Sequence, residues 1–304
     1  MTAHRPDDAT ATRAVAGSRL RQRYGPWAVV TGASDGIGRA CAVALGAAGF
    51  NLVLVARREP ELEALAAALR SSGAEALVVA GDVTDVRFTE RLAATTATLS
   101  VGLVVLAAGF GSLGAFVDRE LADEVAMIEV NVVAVTRLAH LFAGRLAAQG
   151  CGGLVLFGSI VAGQGTPLQA NYAATKAYVR SLGEALSVEL RPHGVDVLVV
   201  SPGPVDTGFA DRAGMTMPSA AAPEVVARAA LRSIGRRGSV VPGVRARLLT
   251  FGLALAPRRL RTRIMHRVMR GMLGPEPPDQ RAVAPSGSGG TVRPSSGTES
   301  RPGT

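Results

Sequence analysis

Three groups able to do chemistry lie close together in the sequence: the Ser159 hydroxyl, the Tyr172 phenol and the Lys176 ammonium. Tyr172 and Lys176 are four residues apart, and the apolar residues that follow (Ala177, Val179, Leu182, Ala185, Leu186) keep helical spacing. Residues at i and i+4 share a helix face, so the ammonium is expected beside the phenol. A positive charge there favours phenolate and lowers a pKa that starts at about 10. A tyrosine tuned in this way gives a proton to a carbonyl, or takes one from an alcohol, near neutral pH. Taken alone, Tyr-x-x-x-Lys also describes an ordinary helix with an aromatic and a solvated lysine. Composition changes the weight: of 33 basic residues only one, Lys176, is a lysine. Arginine is planar, forked and never deprotonated, so it cannot replace a compact point charge on a flexible stem.

Such a helix has to be held against whatever binds beside it, and the flanking sequence supplies the frame. Trp27–Thr31 reads as a short buried strand running into Gly32-Ala-Ser-Asp-Gly36-Ile37-Gly38 and then an apolar-periodic segment through Leu45. In a strand–glycine turn–helix unit, backbone N–H groups approach a pyrophosphate and the helix N-terminus favours its charge. A second strand, residues 51–56, ends in Arg57-Arg58. At that position of a dinucleotide fold an acid would bond a ribose 2′-hydroxyl, whereas arginine suits a 2′-phosphate. The pattern continues with a helix over 59–72, a strand over 74–80 closed by Asp82-Val83, and a helix over 86–99. A strand over 103–109, a long helical region over 120–149 containing Asn131, and a strand over 153–158 ending at Ser159 come next. After the Tyr172 helix there is a strand over 195–200 running into Ser201-Pro202-Gly203. A loop over 207–222 is placed to close over a substrate; a helix over 223–237 and a short strand over 239–242 follow. Alternating strands and helices imply a parallel sheet covered on both faces, with ligands at the carboxyl ends of the strands.

Composition bounds the rest. With 304 residues, 48% of them hydrophobic, the chain can bury one large core. Cys41 and Cys151 make no disulfide framework and have no neighbours of a metal site, so a reduced, cytoplasmic setting and no metal are expected. The first residues, 1–23, lack the apolar stretch of a secretory signal and no run of eighteen apolar residues occurs, so neither a signal nor a spanning helix is expected. The net charge of +9 lies on the appendages: residues 25–243 hold 17 basic and 19 acidic residues, while residues 244–304 hold 11 arginines against 3 acids. That distribution argues against a nucleic-acid-binding fold.

Over about residues 25–243 the chain resembles the short-chain dehydrogenase/reductase family, in its compact, non-extended branch. The motifs are Thr31-Gly32-x-x-x-Gly36-Ile37-Gly38, Asp82, Asn131, Ser159, Tyr172-x-x-x-Lys176 and Pro202-Gly203-Pro-Val205-Asp-Thr207. The resemblance implies an α/β, Rossmann-like doubly wound parallel sheet forming a single domain. It also implies hydride transfer between a nicotinamide, here NADP(H), and a carbonyl or secondary alcohol. Tyr172 would be the acid/base, Ser159 would bond the reacting oxygen, and Lys176 would lower the Tyr172 pKa and hold the nicotinamide ribose. Asn131 would bend its helix and anchor a water of the proton relay. The cofactor would be held by Gly32, Ser34, Asp35, Gly36, Ile37, Gly38, Arg57, Arg58, Asp82, Val83, Ala108, Gly109, Tyr172, Lys176, Pro202, Gly203, Val205 and Thr207. The family usually has Asn where Ala107 stands, which removes one polar contact near the adenosine ribose.

The expected substrate pocket, lined by residues 110–116, 160–166 and 207–218, is mostly apolar or small, with Asp211 and Arg212 as its charges. It points to a hydrophobic carbonyl or alcohol; a homodimer or homotetramer is expected. The alternative is a non-catalytic NADP-binding sensor on the same fold. Outside the domain, residues 1–24 read as a flexible lead and residues 274–304 as a disordered tail. Residues 244–273 read as a basic amphipathic helical segment: beyond Pro257, Leu260, Ile264, Met265, Val268, Met269, Met272 and Leu273 share one face, and arginines fill the rest. Two readings stay open for it: packing on the sheet domain or a second subunit, or lying on an anionic membrane.

Overall fold

The structure, a computed structural model, describes residues 19–208, 213 and 220–273. The expectations for residues 1–18, for the tail 274–304 and for most of the loop over 207–222, Asp211 and Arg212 included, lie outside these. Seven strands form one parallel sheet: β1 (Trp27–Thr31), β2 (Asn51–Ala56), β3 (Ala76–Ala80), β4 (Val101–Leu106), β5 (Gly152–Phe157), β6 (Val195–Val200) and β7 (Ser239–Val240). Their order is β3-β2-β1-β4-β5-β6-β7. The chain starts at the centre, works outward to β3, then returns to β4 on the other side of β1. That reversal leaves a crevice beyond the carboxyl ends of β1 and β4, where Thr31 pairs in register with both Val55 and Leu106.

Strand periodicity divides the core into two layers. Val30, Leu54, Val105 and Val155 face a cluster with α1 (Gly36–Ala47), α2 (Glu59–Ser71) and α7 (Pro223–Ser233). Val29, Val53, Val104 and Leu156 face a second cluster with α3 (Val86–Thr95), α5 (Val135–Gln149) and α6 (Ala170–Glu189). β1, β4 and β5 are buried at every residue, so their sequences are unbroken apolar or small runs rather than alternations. Each fully buried valine or leucine contributes about 1.5–3 kcal/mol relative to exposure.

Several elements differ from the sequence expectation. The helix expected over 86–99 ends at Thr95, whose hydroxyl caps back onto the Arg91 carbonyl. The long helical region is α4 (Leu121–Ile128) and α5, joined by a π turn over Glu129–Ala134. By length and composition Leu121–Gln149 could cross a membrane, although it has no run of eighteen apolar residues. Met127, Leu138, Phe142 and Leu146 within it are buried, which makes it a core helix. Residues 19–24 are helical rather than a loose lead: Tyr24 is buried and its hydroxyl donates to Asp196 Oδ2 at 2.6 Å, at the start of β6. Beyond β7 the chain forms α8 (Val244–Leu255) and α9 (Arg258–Arg270), separated at Pro257. Leu253, Met265 and Met269 are buried against Leu113, Val161 and Ala173.

Candidate active site

At the carboxyl end of β1 the chain turns sharply into α1. Gly36 has φ +51°, a left-handed conformation that glycine adopts without a steric penalty. A Cβ on Gly38 would run into the Gly32 carbonyl oxygen, so only glycine lets the first turn of α1 lie against the strand end. Asp35 caps α1 by accepting from Gly36 N at 2.7 Å. The Thr31 hydroxyl accepts from Ala108 N at 3.1 Å and ties the ends of β1 and β4 together. That tie is made by Thr31 with no contribution from the Ala107 side chain. A cavity of about 710 Å³ runs from this glycine turn to Ser159 and Tyr172.

At one end of the cavity are Ala56, Arg57, Arg58, Asp82 and Val83. The two arginines behave differently. Arg58 is spent on the protein: it donates to Ser34 O and Oγ at 3.2 Å each and pairs with Glu61 at 3.2 Å. Arg57 is exposed and makes no ion pair among the described residues. Asp82 folds its own loop, accepting at Oδ1 from Thr84 N and Thr84 Oγ1. Along the middle, Ala108, Gly109, Pro202, Gly203, Val205 and Thr207 line the walls.

The other end holds the titratable groups. Ser159 leaves β5 in extended conformation and its hydroxyl hydrogen-bonds the Tyr172 phenol from the facing α6. Lys176, one turn further along α6, is buried; its Nζ donates to Phe157 O at 3.1 Å and lies 5.7 Å from the Tyr172 ring centroid. Asn131 is fully buried inside the π turn. Its Nδ2 donates to Phe110 O (2.8 Å) and Thr175 Oγ1 (3.1 Å), and its Oδ1 accepts from Phe110 N (3.1 Å). The residue expected to bend its helix therefore occupies a widened turn and clamps the backbone after β4 onto α6.

One expectation is corrected. A lysine beside Tyr172 was to lower the phenol pKa; instead burial pushes it up to about 12, and only the Ser159 hydrogen bond acts downward. Burial also lowers Lys176 to about 8. Both charged forms lose hydration here, and the ammonium is turned toward the Phe157 carbonyl.

Sequence reasoning missed the residues that close the cavity. Leu249 of α8 and Met265, Val268, Met269 and, just past α9, Met272 line it. The shared helix face read in the sequence is split: Met265 and Met269 are buried, whereas Leu260, Ile264 and Leu273 are exposed. Helical spacing at 265, 268, 269 and 272 was the available signal, but it does not say what the face packs on. From the expected pocket, Phe110, Ile160 and Val161 line the cavity, and Phe116 is exposed instead. The glycine turn, the helix N-terminus and the long cavity fit a dinucleotide: the turn is closed to any side chain, and the reactive groups lie at the end opposite Arg57.

Comparison with known proteins agrees with this arrangement. The short chain dehydrogenase family model matches residues 26–217. The 7beta-hydroxysteroid dehydrogenase of Collinsella aerofaciens is 32% identical over 234 residues, covering 74% of this chain and 89% of that protein. The very-long-chain 3-oxoacyl-CoA reductase of Podospora anserina is 36% identical over 232 residues, covering 73% of this chain and 67% of that protein. A solved short-chain dehydrogenase from Sphingobium yanoikuyae in complex with NADPH superposes with a TM-score of 0.68 at 32% identity, covering 76% of this chain and 93% of that one. The chain belongs to the short-chain dehydrogenase family and is an oxidoreductase.

Proposed function

We propose that this short-chain dehydrogenase uses NADPH to interconvert a hydrophobic ketone and its secondary alcohol, with Tyr172 as the proton donor and acceptor. The observation that carries the proposal is the Ser159–Tyr172 hydrogen bond at one end of the cavity, with Lys176 one turn away. When bound, NADPH supplies a hydride. The glycine turn and the N-terminus of α1 hold its pyrophosphate, and Asp82, Val83, Ala108, Gly109, Pro202, Gly203, Val205 and Thr207 position the rest. Ser159 donates to the carbonyl oxygen and keeps it within reach of Tyr172. As charge builds on that oxygen, the phenol gives it a proton, so the oxygen becomes a hydroxyl and Tyr172 a phenolate.

A phenol raised to about 12 is a weak acid in the resting site. Any charge that favours phenolate lowers this pKa and eases the proton transfer by the same free energy. Lys176, 5.7 Å from the ring centroid, therefore promotes the step only to the extent that its ammonium stabilises the charge building on the phenol oxygen. Asn131 keeps Phe110 and Thr175 fixed around the same end.

Preference for NADPH is supported by Arg57, which no acid neutralises among the described residues, and by the NADPH-bound relative. A hydrophobic substrate is supported by the cavity lining from Leu249, Met265, Val268 and Met269. Two relatives are named for a hydroxysteroid and for a very-long-chain 3-oxoacyl-CoA. A non-catalytic sensor would have no use for a phenol bonded to a serine beside a buried lysine.

The test is turnover of a panel of bulky ketones with NADPH by the native chain and by Tyr172→Phe. Loss of the hydroxyl is expected to reduce the rate by about 10²–10⁴-fold with circular dichroism unchanged. Native-like turnover in a folded Tyr172→Phe would refute the role of the phenol. Binding of NADPH without reduction of any ketone would favour the sensor.

A further inference from the structure

The C-terminal helices present two different faces. Toward the cavity they put Leu249, Leu253, Met265 and Met269. On the opposite side of α8, Val244, Leu248, Phe251 and Leu255 recur at intervals of four, three and four residues and are 67–74% exposed. At 3.6 residues per turn these four fall within roughly 60° of helix surface, opposite Leu253. Arg245 and Arg247 border that stripe on its two sides and are both exposed. Four large apolar side chains aligned in the open are not explained by folding, because the same helix already buries its other face.

The charge around the stripe selects its occupant. Residues 244–273 contain eight arginines and no acid. One of them, Arg261, is spent within the segment: its Nε donates to Ala256 O at 2.6 Å and its Nη2 bonds Ala254 O, fixing the elbow between the helices. The other seven are exposed and make no ion pair among the described residues. A second copy docked through the same stripe would bring two such arginine sets together, and the like charges would oppose that symmetric contact. An anionic lipid surface supplies what both features lack: negative headgroups for the arginines and an acyl boundary for the stripe.

We propose that α8 docks this protein on anionic membranes, with Val244, Leu248, Phe251 and Leu255 inserted at the acyl boundary and the exposed arginines of residues 244–273, Arg245 and Arg247 foremost, at the headgroups. This narrows the membrane contact expected over residues 244–273 to the outer side of α8, because Met265 and Met269 of α9 belong to the cavity. The contact is independent of the reaction assigned above, because none of the four inserted residues lines the cavity.

The experiment is co-sedimentation of the full chain, without substrate or cofactor, with phosphatidylglycerol vesicles and with phosphatidylcholine vesicles. Sedimentation with the anionic vesicles alone, reversed by salt, is expected. Leu248→Ser combined with Phe251→Ser should weaken that partition by at least about tenfold, since two large apolar groups no longer leave water. Arg245→Gln with Arg247→Gln, which leaves the stripe intact, should weaken it severalfold. Both variants should keep the native thermal unfolding midpoint, because all four positions are exposed. The proposal is overturned if the native chain stays in the supernatant with anionic vesicles at low salt. Unchanged partition in either variant overturns it too. So does a serine variant that, in lipid-free sedimentation velocity, falls from an oligomer to a smaller species, which assigns the stripe to a second copy.

Discussion

Replacing Lys176 with methionine keeps most of the side-chain volume and removes the one buried ammonium beside Tyr172. Burial lowers Lys176 from 10.5 to about 8 in the folded site. In the unfolded chain its pKa is the ordinary one. Below pH 8 both states hold the proton, and the folded state carries the full cost of a desolvated ammonium. Between pH 8 and 10.5 the unfolded chain still binds the proton and the folded site does not, so the free energy of unfolding rises with pH across this window. The full shift corresponds to ~3 kcal/mol, of which about 2 kcal/mol is gained between pH 7.5 and pH 10. Tyr172, raised from 10 to about 12, acts with the opposite sign but only above pH 10, where the unfolded phenol ionises first. Cys41, raised from 9 to about 12, lowers stability from pH 9 upward, and it is present in both proteins. The measurement is urea unfolding without cofactor at several pH values between 7.5 and 10, taken as the native chain minus Lys176→Met. Loss of the Nζ bond to Phe157 O displaces the whole difference curve and leaves its slope alone. A rising difference of about 2 kcal/mol is expected. A flat difference would refute desolvation as the dominant influence on Lys176, and a falling one would mean that the folded site holds its proton more tightly than water does.

Other outcomes follow from the same geometry. Arg57→Ala should weaken NADPH binding by about 10–100-fold and leave NADH unchanged, because only the 2′-phosphate offers the guanidinium a charge-assisted contact worth about 1.5–3 kcal/mol. Dissociation constants for the two cofactors check this; equal losses for both would place Arg57 elsewhere. Met265→Ala should cost about 2–5 kcal/mol of stability, since Met265 is 1% exposed in the cluster that closes the cavity. It should also raise KM for bulky ketones more than for acetone-sized ones, and equal KM changes would show that α9 does not shape the substrate end.

The local chemistry of this protein is written in short stretches of its sequence. Tyr172 and Lys176 stand four positions apart on one helix, which fixes their separation whatever packs around them, because helix geometry is local. The glycine turn is equally legible: Gly36 and Gly38 answer to backbone conformation and a neighbouring carbonyl within the same unit. The apolar runs of β1, β2, β4, β5 and β6 announce a buried parallel sheet for the same reason. What depends on distant residues was not legible. The direction in which the Tyr172 and Lys176 pKa values move follows from how much water the fold excludes. Tyr172 packs against the cluster of Leu113, Val161 and the α9 methionines, which lie far apart in the chain, and Lys176 reaches the Phe157 carbonyl. Arg57 and Arg58 look alike in sequence; Ser34 and Glu61, on either side of them in space, occupy one and leave the other. The apolar face of α9 was visible as a period, but periodicity names a face and not its partner, and only the tertiary structure turned Met265 and Met269 toward the cavity while leaving the stripe on α8 outside.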